Sequence, residues 1–211
     1  MNALILVDLQ GDFMPGGPLG VPHGEEVIPV ANRLIAADRP VGRRFDLVVA
    51  TQDWHPPNHG SFVTEHLGHK PGDVVALAGL RQILWPIHCV QGTPGAALVA
   101  ELDTRRIGRI IHKGTDPTID SYSAFFDNGH RQATGLGDFL QQQGVTAVYL
   151  LGLATDYCVR YSALDALRLG FRTFVIEDGC RGVNLQPGDS TAALAELKAA
   201  GVVLTTSADL R

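Results

Sequence analysis

The run "ALILVD", residues 3–8, is apolar at every position until it ends on an aspartate. A strand with one wet face alternates apolar and polar residues, and a strand covered on both faces does not, so this run belongs inside a sheet flanked by helices. The same pattern returns as "DLVVATQD" (46–53), "RIIHK" (109–113), "TAVYLLG" (146–152), "RTFVIED" (172–178) and "GVVLTT" (201–206). Between them, "GEEVIPVANRLIAA", "ATGLGDFLQQQG", "TDYCVRYSALDALRLG" and "GDSTAALAELKAAG" place apolar residues at helical spacing. Strand–helix alternation predicts an α/β fold: a doubly wound, mostly parallel six-stranded sheet with helices on both faces. A chain of 211 residues suits one such domain over 1–211.

Composition narrows the partners. The chain is 45% hydrophobic and 18% charged, with a formal net charge of -5 and no Lys/Arg clusters, which argues against nucleic acid. No apolar run reaches the length of a membrane span, and the start lacks a basic segment of the signal-peptide type. Three cysteines (Cys89, Cys158, Cys180) without CxxC spacing read as reduced thiols of a cytoplasmic protein. A homo-oligomer stays open.

Residues 54–106, rich in Pro, Gly and His, break the alternation and predict a long irregular region. Such a stretch inside a compact domain is usually functional. In doubly wound sheets, ligands bind beyond the carboxyl ends of the strands. The polar residues expected at those ends are Asp8, Asp53, Lys113 and the turn Thr155–Cys158.

Cys158 reads either as core filler or as a nucleophile. Thr155 or Asp156 can cap the helix that follows, placing the thiol in a first turn whose dipole lowers its pKa and whose free amides can hold an oxyanion. Lys113 would favour the thiolate, its own pKa being too high for a base. Asp8 would move the proton. In "DWHPPNH" (53–59), extended backbone turns Asp53 and His55 the same way, and His88 or His59 completes an open site for Zn²⁺, Fe²⁺ or Mn²⁺. Phe13, Trp85 and Tyr122 are loop aromatics suited either to the core or to sandwiching a flat ring.

With these residues in order, the chain resembles the isochorismatase-like cysteine hydrolases, and among them the bacterial nicotinamidase/pyrazinamidase group. The motifs are "VDLQGDFMPGG", "TQDWHPPNHGSF", "WPIHCVQGTPGA", "KGTDPTIDSYSAFFDN", "GLATDYCVRYSALDAL" and "IEDGCRGVN". The resemblance implies a triad of Asp8, Lys113 and Cys158, and one divalent metal ion, Zn first, on Asp53, His55 and His88, with His59 a further candidate. It implies a cis peptide at Leu153–Ala154, an oxyanion hole of the Ala154 and Cys158 amides, and ring binding by Phe13, Trp85 and Tyr122. The expected reaction is nicotinamide plus water to nicotinate plus ammonia through a thioester, in NAD salvage, with pyrazinamide as a second amide. Rival readings are a related amidohydrolase of carbamoyl or ureido substrates, which would have no use for the metal cluster, and a non-catalytic binding protein on the same fold.

Overall fold

The structure is a computed structural model describing residues 1–36, 38–39 and 42–210. The strands are β1 (Asn2–Val7), a short antiparallel ribbon of β2 (Asp38–Arg39) and β3 (Gly42–Arg43), β4 (Leu47–Asp53), a hairpin of β5 (Val74–Leu77) and β6 (Leu80–Ile83), β7 (Ile107–Lys113), β8 (Ala147–Leu153), β9 (Arg172–Arg181) and β10 (Val203–Thr205). The helices are α1 (Val27–Ala36), α2 (Leu136–Gln142), α3 (Arg160–Arg168) and α4 (Asp189–Ala200).

Six strands form one sheet in the order β10-β9-β8-β1-β4-β7, and every neighbouring pair is parallel. The all-apolar reading of β1 holds, since Ala3 to Val7 have no accessible surface. From central β1 the chain winds outward through β4 to β7, then restarts at β8 on the other side and winds out to β10. Right-handed crossovers in opposite directions put α1 on one face and α3 and α4 on the other. The reversal lies between β1 and β8, the place where such sheets open a crevice beyond their carboxyl ends.

Two departures from the sequence pattern bear on that crevice. β7 is an edge strand, partly exposed, and it runs from Ile107 rather than from Arg109. The helix expected from Thr155 opens as a five-residue π-helical segment, Thr155–Val159, before α3. Neither Thr155 nor Asp156 caps it. The Asp156 carboxylate instead accepts the Val183 and Asn184 amides, at 2.9 and 2.7 Å. Tertiary demand from the loop after β9 wins over local capping, because those loop amides would otherwise lie buried without partners.

Within 54–106 the regular elements are the β5–β6 hairpin and short 3-10 turns at Val63–Glu65 and Pro94–Ala96. Backbone bonds bring this stretch back over the strand ends: the His55 N–H donates to the Cys89 carbonyl and the Gln91 N–H to the His55 carbonyl.

Candidate active site and metal centre

β4 and β7 end on charged residues and β1 is followed directly by one, and the side chains of Asp8, Asp53 and Lys113 meet near the Cys158 turn. Asp8 follows β1 with a φ of 52°, so the chain leaves the strand direction here. Its carboxylate accepts the Thr51 hydroxyl at 2.6 Å and lies 2.9 Å from Lys113 Nζ. Lys113 Nζ also reaches Asp53 Oδ1 at 2.5 Å, the Ser121 carbonyl at 3.0 Å and Cys158 Sγ at 3.4 Å. Polar atoms of Asp8, Asp53 and Cys158 all lie within 4.8 Å of one another. All four residues are buried. One ammonium thus links two carboxylates and a thiol, and that compensation permits so much buried charge.

The electrostatics assign the proton positions. Burial would push Lys113 down, but Asp53 and Asp8 raise it well above its ordinary value, so it stays an ammonium. Burial raises Asp8 above the ordinary carboxylate value although Lys113 pulls the other way. Cys158 departs from the expectation of a lowered thiol. Burial lifts it well above the ordinary value; Lys113 pulls it down, and the Asp8 and Asp53 carboxylates push it further up. A helix-start dipole alone does not offset desolvation at full burial. The resting thiol therefore keeps its proton and needs a nearby acceptor, and Asp8 is in place.

The second cluster surrounds the other oxygen of Asp53. His55 Nε2 is 3.6 Å and His88 Nε2 3.9 Å from Asp53 Oδ2. His55 Nδ1 bonds the Gly114 carbonyl and His88 Nδ1 the Pro86 carbonyl, each at 2.8 Å. A carbonyl only accepts, so Nδ1 carries the hydrogen and Nε2 of the neutral ring is free as a ligand atom. Gly114 leaves room for this arrangement: a Cβ there would come within 2.4 Å of the His55 ring. Burial, reinforced by the charge of His55, pushes His88 down to about 4, so its imidazole is neutral at ordinary pH. Burial opposes ionisation of Asp53, yet Lys113 and His55 hold it well below the usual carboxylate range. His55 itself is raised by Asp53 against the pull of burial, so this pocket attracts positive charge.

His59 stands beside this group, its ring 4.3 Å from that of His55, with Nδ1 on the Ser61 hydroxyl at 2.7 Å. Its Nε2 is buried with no partner. Ligand atoms of Asp53, His55 and His88 lie within 4.8 Å of one another, as do those of His55, His59 and Asp120, and such convergence of buried imidazoles on carboxylates is what a cation-binding centre requires. Trp54 points away, as the two-residue periodicity requires, and stacks on His112 at 4.4 Å.

A cleft with about 380 Å³ of empty space, partly open to solvent, runs from Cys158 to this cluster. Phe13, Trp85, Tyr122, His88, Asp53, Ala154 and Cys158 all line it. Trp85 Nε1 donates to the Tyr122 hydroxyl at 3.1 Å, so these two aromatics form one braced wall. The Leu153–Ala154 peptide is cis. The sequence did not single out Leu19, Val21, Asp120, Tyr157 or Val183, which also line the cleft. Apolar residues in loops carry no local pattern that separates a cleft wall from core.

The Isochorismatase domain matches residues 2–209. The nicotinamidase of Escherichia coli (strain K12) is 52% identical over 208 residues, 99% of this chain and 96% of its own. Among solved structures, a nicotinamidase/pyrazinamidase from Acinetobacter baumanii matches with a TM-score of 0.93 at 43% identity, covering 100% of this chain and 98% of that one. The pyrazinamidase of Pyrococcus horikoshii, solved in complex with zinc, matches with a TM-score of 0.78 at 41% identity, covering 97% and 98%. The chain belongs to the isochorismatase domain family. It is an amidohydrolase of that family, and its buried Asp–His centre together with the zinc-bound neighbour supports a divalent metal ion.

Proposed function

We propose that the chain is a nicotinamidase, hydrolysing nicotinamide to nicotinate and ammonia with Cys158 as nucleophile, and that pyrazinamide is a second substrate. The observation that carries this reading is the shared cleft: a thiol with a proton acceptor at one end, a cation centre at the other, and aromatic walls between. That separation suits a flat ring with a carboxamide on one side and a ring nitrogen on the other. The high identity to the E. coli nicotinamidase supports the same substrate. A carbamoyl or ureido substrate has no ring nitrogen to engage the cation centre, which disfavours that rival.

In the proposed sequence, Asp8 takes the thiol proton as Cys158 Sγ bonds to the carboxamide carbon. The oxygen that becomes negative is held by the Ala154 and Cys158 amides, while the Lys113 ammonium stabilises the nearby charge. Asp8 then delivers its proton to the departing nitrogen, the C–N bond breaks, ammonia leaves and a thioester remains. Water attacks the thioester carbon and gives a proton to Asp8. The C–S bond breaks, nicotinate leaves, and the sulfur recovers the proton. Phe13, Trp85 and Tyr122 hold the ring so that the carboxamide lies over sulfur. A divalent cation, Zn²⁺ before Fe²⁺ or Mn²⁺, would be held by Asp53, His55 and His88 with His59 beside them, and would anchor the ring nitrogen directly or through water.

A cytoplasmic role in NAD salvage is part of this reading. Among the described residues no helix is long and apolar enough to cross a membrane. Ammonia release from nicotinamide, measured with and without a chelator, tests the proposal. Release that stops with chelator and returns with added metal is expected; no release from nicotinamide by metal-replete protein overturns it.

A further inference from the structure

Asp53 sits where the sheet runs out on one side only. Toward β7 the pairing continues to Asp53–Lys113, and the next amide, Trp54 N–H, donates to the Lys113 carbonyl at 2.9 Å. Toward β1 the pairing ends at Leu6–Ala50, because Asp8 turns out of the strand. The Asp53 N–H and C=O that face β1 therefore have no backbone partner there. Gln10, which has no accessible surface, supplies one. Its Oε1 accepts the Asp53 N–H at 2.8 Å, and its Nε2 donates to the Asp53 carbonyl at 2.8 Å. The second Nε2 hydrogen goes to the Ala96 carbonyl, also at 2.8 Å. A primary amide carries the same donor and acceptor as a peptide unit, so this side chain can stand in for one rung of a parallel ladder.

We propose that Gln10 is a positioning residue for the metal centre: its side-chain amide replaces the missing backbone rung and fixes the Asp53 peptide, and through it the carboxylate shared by Lys113 and the histidine cluster. Loss of a group that orients a metal ligand typically costs about 10- to 100-fold in metal affinity. Gln52 provides an internal comparison, because its Nε2 donates to the same Ala96 carbonyl at 2.7 Å but does not touch the Asp53 peptide. If anchoring of the segment after His88 were what mattered, both glutamines would matter alike.

The inference rests on the metal reading above, and the experiment separates the two. Zn²⁺ affinity of the full-length protein is measured by competition with a chromophoric chelator, alongside thermal unfolding of the metal-free chain. Gln10→Met, which keeps volume and removes all three bonds, is expected to weaken Zn²⁺ by about 10- to 100-fold. Gln52→Met should stay within about threefold of the parent, whatever either change does to the unfolding temperature. Gln10→Glu keeps the acceptor for the Asp53 N–H but sets a carboxylate against two carbonyls. It is expected to lose affinity as well, and it serves if the methionine variant does not fold. Gln10 variants that bind Zn²⁺ like the parent, or an equal loss in Gln52→Met, overturn the role of Gln10 alone. A parent chain that binds no Zn²⁺ overturns the metal reading with it.

Discussion

Asp8, Lys113 and the Cys158 turn sit at the ends of β1, β7 and β8, whereas His55, His59 and His88 ride on chain that has left the sheet after β4. In the first region the charges pair among themselves: Asp8 Oδ1 accepts the Thr51 hydroxyl, Asp8 Oδ2 lies 2.9 Å from the Lys113 ammonium without a hydrogen bond, and Lys113 also reaches Asp53 and the Ser121 carbonyl. In the second region the ring nitrogens are satisfied on one side only. Nδ1 atoms are held by Gly114, Pro86 and Ser61, while the Nε2 atoms of His55 and His88 converge on Asp53 Oδ2, and that of His59 has no hydrogen-bond partner. A region whose charges pair with one another can carry out proton transfer; one whose imidazole and carboxylate atoms face a common centre is built to receive a cation. Asp53 belongs to both, with Oδ1 on Lys113 and Oδ2 toward the histidines. The two regions should therefore fail differently when broken.

The largest loss is expected at the sulfur. Cys158→Ala should reduce ammonia release by about 10⁴-fold or more, while calorimetry still detects nicotinamide binding within a few-fold of the parent. Near-normal turnover in that variant would remove the nucleophile from the closed region.

Asp8→Asn comes next, with a loss of about 10³- to 10⁴-fold and no pre-steady-state burst of ammonia. The same residue predicts the acid limb of the unmodified enzyme. Burial raises the Asp8 pKa, so its protonated form, which cannot accept the thiol proton, persists to higher pH than for an ordinary carboxylate. As pH falls through that raised value, kcat/KM should drop about tenfold per unit. A kcat/KM that stays flat down to the ordinary carboxylate range would contradict the assignment.

The open region should break more gently. His88→Ala is expected to weaken metal binding by about 100-fold, and His59→Ala by about tenfold or less, both read by chelator competition. The reverse order would make His59, not His88, the principal third ligand.

The smallest effect belongs to the wall joining the regions. Trp85→Ala removes one face of the ring cleft and frees the Tyr122 hydroxyl from one of its donors, so KM should rise about tenfold with kcat within about threefold. A fall in kcat alone would mean that Trp85 orients the carboxamide rather than the ring.

The six strands of the main sheet and the helices were legible in the sequence because burial on both faces writes itself as unbroken apolar runs, and helix faces as a period near 3.6, whereas the short β2–β3 and β5–β6 pairs were not. The residues at the strand ends were legible for the same reason: a charged side chain closing "ALILVD", "LVVATQD" or "RIIHK" has to lie where the sheet stops. The irregular chain was less so. Nothing local in "LLGLATDYCV" shows that Asp156 serves the loop after β9 instead of capping its own helix. Nothing local singles out Gln10, two residues past Asp8.

By itself, then, the sequence determined the sheet, its winding and the kinds of chemical groups delivered to one edge, since these follow from periodicity along the chain. Only the tertiary structure decided that the Cys158 thiol is held high rather than low, because desolvation depends on what surrounds a group in space. It alone decided that Lys113 lies between Asp8 and Asp53, that the Nε2 atoms converge, and that Gln10 completes the ladder beside Asp53. Those are distances between residues far apart in the chain, and no local pattern encodes them.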